Sequence, residues 1–229
     1  MTTLDDTTPK KREDSKGRIK LDWKALYKYI DEINTSGFVD EIQTRANNDT
    51  KGCMSTIDST MLYGLIRLFK PKVCLETGTR RGKSSAFILK ALKDNNNDGI
   101  LLGIERDTKI EIGELIPTYL KDSFGTYNMS VEKFVGSEDF KNLNLDLFLH
   151  DSTHRYEYQL WEFKTFWAKI NNNGLLCSHD ILYNTSFIDF IKSKYIMDDK
   201  GLTDFIKSSF GIWGVLGNFG FISKNESKS

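Results

Sequence analysis

The chain has 229 residues, of which 39% are hydrophobic and 28% are charged, as in ordinary globular proteins. This length fits one sizeable domain with a terminal extension and excludes two domains of ordinary size. Basic and acidic residues balance at 32 each, so no overall positive field favours nucleic acid. No apolar run approaches the roughly 20 residues that span a bilayer, and no secretory signal stretch opens the chain. We therefore expect a cytoplasmic protein that binds neither nucleic acid nor membrane.

The first part of the chain changes from polar to helical character. Residues 1–18 contain almost no apolar side chains and are predicted to form a flexible tail. Apolar residues then recur at three- and four-residue spacing from Trp23 to Ile33, which predicts a helix that ends at Gly37. A second helix is predicted over Asp58–Phe69, with Pro71 as its stop.

Beyond Pro71, short apolar runs alternate with longer amphipathic segments. The runs predict strands over Val73–Leu75, Ile100–Ile104, Val131–Val135, Leu145–Leu149 and Leu175–Cys177. The longer segments predict helices over Ser84–Leu92, Lys109–Leu120 and Tyr156–Ile170. Two strands at the end of the chain, Ile212–Leu216 and Phe219–Ser223, are predicted to pair antiparallel. The pattern indicates an α/β fold with a doubly wound, mostly parallel seven-stranded sheet, its last strand antiparallel, and helices on both faces.

The first predicted strand runs into a loop that contains two glycines and opens a helix. This loop reads Glu76-Thr-Gly-Thr-Arg-Arg-Gly-Lys-Ser84. Gly78 and Gly82 allow the backbone to approach a ligand, and the free N–H groups of the helix start favour a carboxylate or a phosphate. Ligands of open α/β sheets bind beyond the carboxyl ends of the strands, so the loop is a candidate binding site.

Three known loop types can be compared with this spacing. A dinucleotide-binding loop requires G-x-G-x-x-G, whereas the chain has G-x-x-x-G. A phosphate-binding P-loop requires G-x-x-x-x-G-K-[ST], and the segment from Gly78 to Ser84 is one residue short of it. A P-loop-like nucleotide-binding NTPase therefore stays an alternative. A tight turn without any ligand is also compatible with the pattern.

The pattern E-x-G-x-x-x-G-x-S resembles the first motif of class I S-adenosylmethionine-dependent methyltransferases. The similarity is greatest to the catechol O-methyltransferase-like and macrocin O-methyltransferase-like group, methyltransferase family 24, and extends through most of residues 55–225. It implies a single Rossmann-like methyltransferase domain over 19–229, with N-terminal helices in 19–70 and the core in 71–229. The motif positions that hold the cofactor's methionine portion in that group are Glu76, Gly78, Gly82 and Ser84.

Two later segments match further cofactor positions of the group. Glu105 follows the second predicted strand, where the resemblance implies a carboxylate that accepts the two ribose hydroxyls. We prefer it to Asp107. Ser137 and Glu138 follow the third predicted strand, and the resemblance implies that they border the adenine ring. Ser-Glu is also an ordinary start of a helix.

All three histidines lie in the segments that follow the fourth and fifth predicted strands. These segments resemble the metal and base motifs of metal-dependent small-molecule O-methyltransferases. The resemblance implies that Asp151, His179 and Asp180 bind a divalent cation, that Asp151 also borders the cofactor, and that His154 is the catalytic base. The catechol-type enzymes have Lys in place of His154 and an acidic or amide pair in place of His179-Asp180. Because histidine favours Mn, Zn or Fe over Mg, the identity of the metal stays open, as does a role of His179 as a hydrogen-bond partner of Asp180.

The expected function is transfer of the S-adenosylmethionine methyl group to a small-molecule hydroxyl with the help of a divalent cation. The acceptor could be a catechol, a sugar or a glycosylated metabolite, and the oligomeric state is open, a homodimer included. A methyltransferase-like domain that binds ligand without turnover is the non-enzymatic alternative.

Overall fold

The computed structural model describes residues 12–13, 19–47, 49, 51–195 and 218–224. In chain order, its elements are β1 (Arg12–Glu13), β2 (Ile19–Lys20), α1 (Trp23–Thr35), α2 (Phe38–Arg45), α3 (Thr56–Phe69), β3 (Val73–Thr77), α4 (Lys83–Asn95), β4 (Ile100–Glu105), a 3₁₀ helix (Thr118–Ser123), β5 (Phe124–Asn128), α5 (Val131–Val135), α6 (Glu138–Lys141), β6 (Leu145–His150), α7 (Tyr156–Trp167), β7 (Ile170–His179), α8 (Ser186–Tyr195) and β8 (Phe219–Ser223).

Six of these strands form one sheet in the order β5-β4-β3-β6-β7-β8. Neighbouring strands are parallel except for β8, which runs antiparallel to β7. The predicted fold class is thus confirmed, with six strands rather than seven in the described part of this sheet. The segment predicted as the other strand, Ile212–Leu216, lies outside the described residues. So does the predicted tail, apart from Arg12–Glu13, which pairs antiparallel with Ile19–Lys20.

The sheet separates two hydrophobic cores. Helices α1 to α4 pack on one face, where Cys74 and Leu147 point. The other face carries Leu75 and Phe148 and is covered by α5, α7 and α8. Successive residues of β3 and β6 therefore enter opposite cores, as the pleat of a strand requires. Within the described chain, none of the helices combines the length and the apolar content needed to cross a bilayer.

The predicted third strand, Val131–Val135, is wrong: these residues form helix α5. The third strand lies earlier, at Phe124–Asn128. Ser130 then begins the helix, because its Oγ accepts a hydrogen bond from the amide of Lys133 at 3.3 Å. The apolar residues of the segment, Val131 and Phe134, fit the three-residue spacing of a helix that buries one side.

The helix predicted over Lys109–Leu120 is also absent from the structure. The segment consists of turns followed by a 3₁₀ helix that begins only at Thr118. Gly113 has a φ of 73°, which is incompatible with an α-helix, and Pro117 lacks the N–H that a continuing helix would need.

Candidate functional site

A cleft of about 250 Å³ opens at the carboxyl ends of β3, β4 and β6. Its walls include Gly78 from the loop after β3, Glu105 at the end of β4 and Asp151 directly after β6. These residues come together because the three strands are neighbours and parallel, so their carboxyl ends share one edge. The structure therefore brings a motif glycine, the predicted ribose carboxylate and a predicted metal ligand to one cavity.

Glu76 lies behind this cleft rather than in its wall. Its side chain is fully buried at the end of β3, and its two carboxylate oxygens accept hydrogen bonds from the hydroxyls of Ser84 and Ser85. Burial raises the pKa of Glu76 to about 7, although the two serine hydrogen bonds act in the opposite direction. Glu76 thus joins the last residues of β3 to the first turn of α4 and shapes the loop between them.

Gly78 is required by the protein backbone itself. Its φ is +84°, and a Cβ at this position would overlap the carbonyl oxygen of Asp151. Gly82 has a φ of +82°, and a Cβ there would lie 2.7 Å from the Cα of Gly113. Close approach of a ligand stays the predicted reason for both glycines, and the structure adds the close approach of neighbouring loops.

Glu105 reaches the cleft and also fixes the loops around it. The side chain is 6% exposed, and its Oε2 accepts a hydrogen bond from the amide of Arg80 at 2.9 Å. Its Oε1 accepts another from the amide of Asp107 at 2.8 Å. Each carboxylate oxygen has a further lone pair, so the two backbone contacts leave acceptor capacity for a ligand.

Asp151, His154 and Asp180 form a cluster that could bind a cation. One ligand atom from each lies within 4.8 Å of the others, and all three side chains are partly buried. The Nε2 of His154 lies 3.0 Å from Oδ2 of Asp180. Among the described residues, this is the group of acids, histidines and cysteines that meets the geometry of a metal site.

His179 lies beside this cluster, and its Nδ1 is 3.5 Å from Oδ1 of Asp180, the contact that a hydrogen-bond partner of Asp180 would make. Strands β6 and β7 place His150 opposite Ser178, so that the next residues, Asp151 and His179, meet at one level. The Nδ1 of His179 lies 3.1 Å from Oδ1 of Asp151, and its Nε2 lies 3.3 Å from Oδ2 of Asp58. Both ring nitrogens thus face carboxylates of the protein, and His179 is not in the converging cluster.

The surroundings of His179 and Asp180 shift the pKa values of both side chains. Burial opposes the charged imidazole, but hydrogen bonds with Asp151, Asp180 and Asp58 outweigh it and raise the pKa of His179 to about 11. For Asp180, burial opposes the carboxylate, yet hydrogen bonds from His154 and His179 hold its pKa well below the usual range. The site therefore contains a partly buried cluster of ionisable groups that favours the charged form of Asp180.

Comparison with known proteins gives a family match over the middle of the chain. Residues 75–181 match the family model described as a methyltransferase domain. No curated protein matches the chain by sequence. The matched range contains every predicted cofactor, metal and base position, from Glu76 to Asp180.

Solved methyltransferases share the fold of the chain. The O-methyltransferase TomG from Streptomyces achromogenes, with S-adenosylmethionine bound, has a TM-score of 0.57 at 14% identity and covers 89% of this chain and 98% of its own. The methyltransferase PaMTH1 from Podospora anserina, with S-adenosylhomocysteine bound, has 0.56 at 14%, covering 91% and 99%. The O-methyltransferase from Bacillus cereus has 0.54 at 14%, covering 80% and 86%. These likenesses confirm the predicted Rossmann-like fold.

The cleft does not include the two predicted adenine contacts. Ser137 begins helix α6, where its Oγ accepts from the amide of Phe140, and Glu138 is exposed beside Lys141. The residues that line the cleft after β5 are Met129 and Val131. The difference arises because the third strand ends at Asn128, several residues before the predicted end.

Two buried acids near the cleft are not predicted by the sequence. Asp58 has 2% exposure at the start of α3, and its Oδ2 accepts from Ser55 Oγ at 2.7 Å. The Ser-x-x-Asp spacing indicates only a helix start, so nothing local predicts its contact with His179. Glu162 is fully buried in α7, although a glutamate within a helix is ordinarily an exposed residue.

The raised pKa of Glu76 predicts a distinct pH dependence of stability. The folded protein holds the Glu76 proton more tightly than the unfolded chain does. The protonated side chain therefore contributes to the free energy of unfolding below about pH 4.5, and this contribution is lost as the pH rises through about 7. In wild type this fall in the free energy of unfolding is up to about 3 kcal/mol, and Glu76→Gln should abolish it because glutamine does not titrate. Urea unfolding of both proteins across this pH range measures the difference, and Glu138→Gln is the exposed control. Parallel pH profiles for wild type and Glu76→Gln would contradict the prediction.

Proposed function

We propose that this methyltransferase transfers the methyl group of S-adenosylmethionine to a hydroxyl of a small molecule, with a divalent cation beside the reacting oxygen. The observation that carries the proposal is the cluster of Asp151, His154 and Asp180 next to the cleft, with Asp151 belonging to both. The cleft supplies a place for the cofactor, and the cluster supplies charge and a base within reach of the same edge.

The cofactor assignment is supported by the cleft and by the ligands of related folds. TomG contains S-adenosylmethionine, and the Bacillus cereus and Podospora anserina proteins contain S-adenosylhomocysteine. In this chain, the partly free carboxylate of Glu105 is the acceptor that we assign to the ribose hydroxyls. Met129 and Val131, which line the same cleft, provide apolar contacts for a base.

The donor atoms of the cluster fit a divalent cation. The two carboxylates offer oxygen ligands for a divalent ion, and a preference for Mn, Zn or Fe over Mg would require the His154 imidazole as a third ligand. Asp151 and Asp180 would hold the ion. When bound, it supplies positive charge that stabilises the ionised acceptor oxygen.

His154 is the residue that we assign as the base. Its Nε2 lies 3.0 Å from a carboxylate oxygen of Asp180. With Asp180 bound to the cation, Nε2 would no longer donate to that carboxylate and would be free to accept the proton of a hydroxyl held at the cluster. The hydroxyl gives its proton to His154, and its oxygen forms a bond to the methyl carbon as the carbon–sulfur bond breaks. The sulfur keeps the bonding electrons, so the products are a methyl ether and S-adenosylhomocysteine. In-line placement of oxygen, carbon and sulfur is what the site must provide.

Calorimetric binding tests the cofactor assignment. S-adenosylhomocysteine should bind, whereas ATP should not. Binding of ATP alone would favour the NTPase alternative. Glu105→Ala should weaken binding of S-adenosylhomocysteine by about 1.5 to 3 kcal/mol, the range for hydrogen bonds to a charged group.

The matched control for this variant is Asp107→Ala, a neighbouring acid in the wall of the same cleft. We expect a much smaller effect from it. A larger loss in Asp107→Ala than in Glu105→Ala would assign the ribose to Asp107 instead.

A further inference from the structure

Glu162 is a buried carboxylate for which the proposed reaction has no use. Its side chain is fully enclosed, and three side chains bind it. Oε2 accepts from Thr77 Oγ1 at 2.7 Å and lies 2.8 Å from Nδ1 of His150. Oε1 accepts from Ser152 Oγ at 2.6 Å. Burying a carboxylate is costly unless hydrogen bonds replace its lost water, and these contacts do so.

The partners of Glu162 surround Asp151 in the chain. His150 and Ser152 are its two neighbours in sequence, and the amide of Asp151 donates to the carbonyl of Thr77 at 3.0 Å. The backbone is therefore fixed on both sides of Asp151, while its side chain remains in the wall of the cleft.

The same carboxylate also joins the two loops that meet at the cleft. Thr77 immediately precedes Gly78, and the backbone of Asp151 is in such close contact with Gly78 that no Cβ fits between them. Glu162 binds both Thr77 and Ser152, so it holds these loops together from the buried side. A small shift of either loop would change where Asp151 lies relative to His154 and Asp180.

We propose that Glu162 is a positioning residue, which holds Asp151 in the place where its carboxylate meets the side chains of His154 and Asp180. This inference rests on the proposed function, because it gives Glu162 a task at the proposed cation site. Hydrogen-bond partners of metal-binding side chains typically contribute about 10-fold to 100-fold in metal affinity or activity.

A purely structural role can be separated because the chain offers a matched carboxylate. Asp146 lies in β6, the same strand as His150, but near its opposite end. Its oxygens accept from the amides of Lys72 and Val73 at 2.9 and 3.0 Å and from the side chain of Asn171 at 2.9 Å. Both acids thus have three polar partners that include a residue of β3, and Glu162 is the one of the two that lies beside the cleft.

The test compares Glu162→Gln with Asp146→Asn in the full chain. The glutamine keeps the shape, and the Thr77 and Ser152 hydroxyls can rotate to accept from its amide. Thermal unfolding and S-adenosylhomocysteine calorimetry check that both variants fold. Mn²⁺ affinity is measured by electron paramagnetic resonance, and amide hydrogen exchange is followed over residues 150–154.

We expect Glu162→Gln to lower Mn²⁺ affinity by about 10-fold to 100-fold and to speed amide exchange at Asp151, with cofactor affinity unchanged. Asp146→Asn should lower the melting temperature without either effect. Equal effects of the two variants, or no effect of Glu162→Gln, would overturn the proposal.

Two further outcomes are also decisive. If the wild-type protein binds no Mn²⁺, the cation assignment fails, and amide exchange alone decides whether Glu162 positions Asp151. If Glu162→Gln does not fold, Ser152→Ala replaces it, since this variant removes only the donor to Oε1. Unchanged Mn²⁺ affinity and unchanged exchange in Ser152→Ala would then count against the proposal.

Discussion

Asp180→Asn is expected to abolish methyl transfer and to leave binding of S-adenosylhomocysteine unchanged. Asp180 directly follows β7 and belongs to the cluster with Asp151 and His154, but it does not line the cofactor cleft. The substitution removes one negative charge from the proposed cation site. Asparagine also tolerates the φ of 56° found at this position, whereas alanine would add backbone strain.

The measurements are methyl transfer from labelled S-adenosylmethionine to a panel of catechols and sugars, Mn²⁺ affinity, and calorimetry. Mn²⁺ affinity should fall by at least about 10-fold. Chelation of the wild-type protein should likewise stop transfer, and addition of Mn²⁺ should restore it. Activity that survives both chelator and Asp180→Asn would remove the cation from the mechanism.

Asp98→Asn is the matched control for this experiment. Asp98 is also an aspartate with positive φ, 53°, and it lies in the exposed turn before β4, at the other edge of the sheet. The chemical change and the backbone conformation are the same, and only the location differs. We expect wild-type transfer and wild-type Mn²⁺ affinity from this variant.

The strong sequence signals for the fold came from buried strands. β3, β6 and β7 are enclosed by helices on both faces, so their sequences contain continuous apolar runs. β5 lies at the edge of the sheet, and none of its five residues is fully buried. Its sequence, Phe-Gly-Thr-Tyr-Asn, therefore lacks an apolar run, whereas the segment that forms helix α5 is more apolar. The predicted third strand is therefore displaced along the chain, and Met129 and Val131 line the cleft after β5 in place of Ser137 and Glu138.

The site could be predicted only as far as local motifs and strand ends determine it. Glu76, Glu105, Asp151 and Asp180 end or follow neighbouring parallel strands, so their shared location follows from topology. The contact between His179 and Asp58 depends instead on how α3 packs against the sheet, which no pattern near either residue determines. Glu162 illustrates the same limit, because its partners lie 10 to 85 positions away along the chain.

His154→Ala is expected to lower turnover by about 10²-fold to 10⁴-fold, the usual contribution of a general base. The side chain contacts the cluster through Nε2, while the hydrogen bond between the backbone carbonyl of His154 and Asn184 does not involve the ring. Loss of the imidazole should therefore leave the loop in place. S-adenosylhomocysteine affinity should be unchanged, because His154 is not among the residues that line the cofactor cleft.

Mn²⁺ affinity separates the two roles that the geometry allows for His154. A base takes the proton without holding the ion, so His154→Ala should keep Mn²⁺ affinity and lose turnover, and added imidazole should restore part of the rate. If His154 is instead the third ligand of the ion, affinity and turnover should fall together, and imidazole should act by restoring Mn²⁺ binding. Full activity in His154→Ala would exclude both roles, since neither a base nor a ligand can be removed from this cluster without consequence for the reacting oxygen.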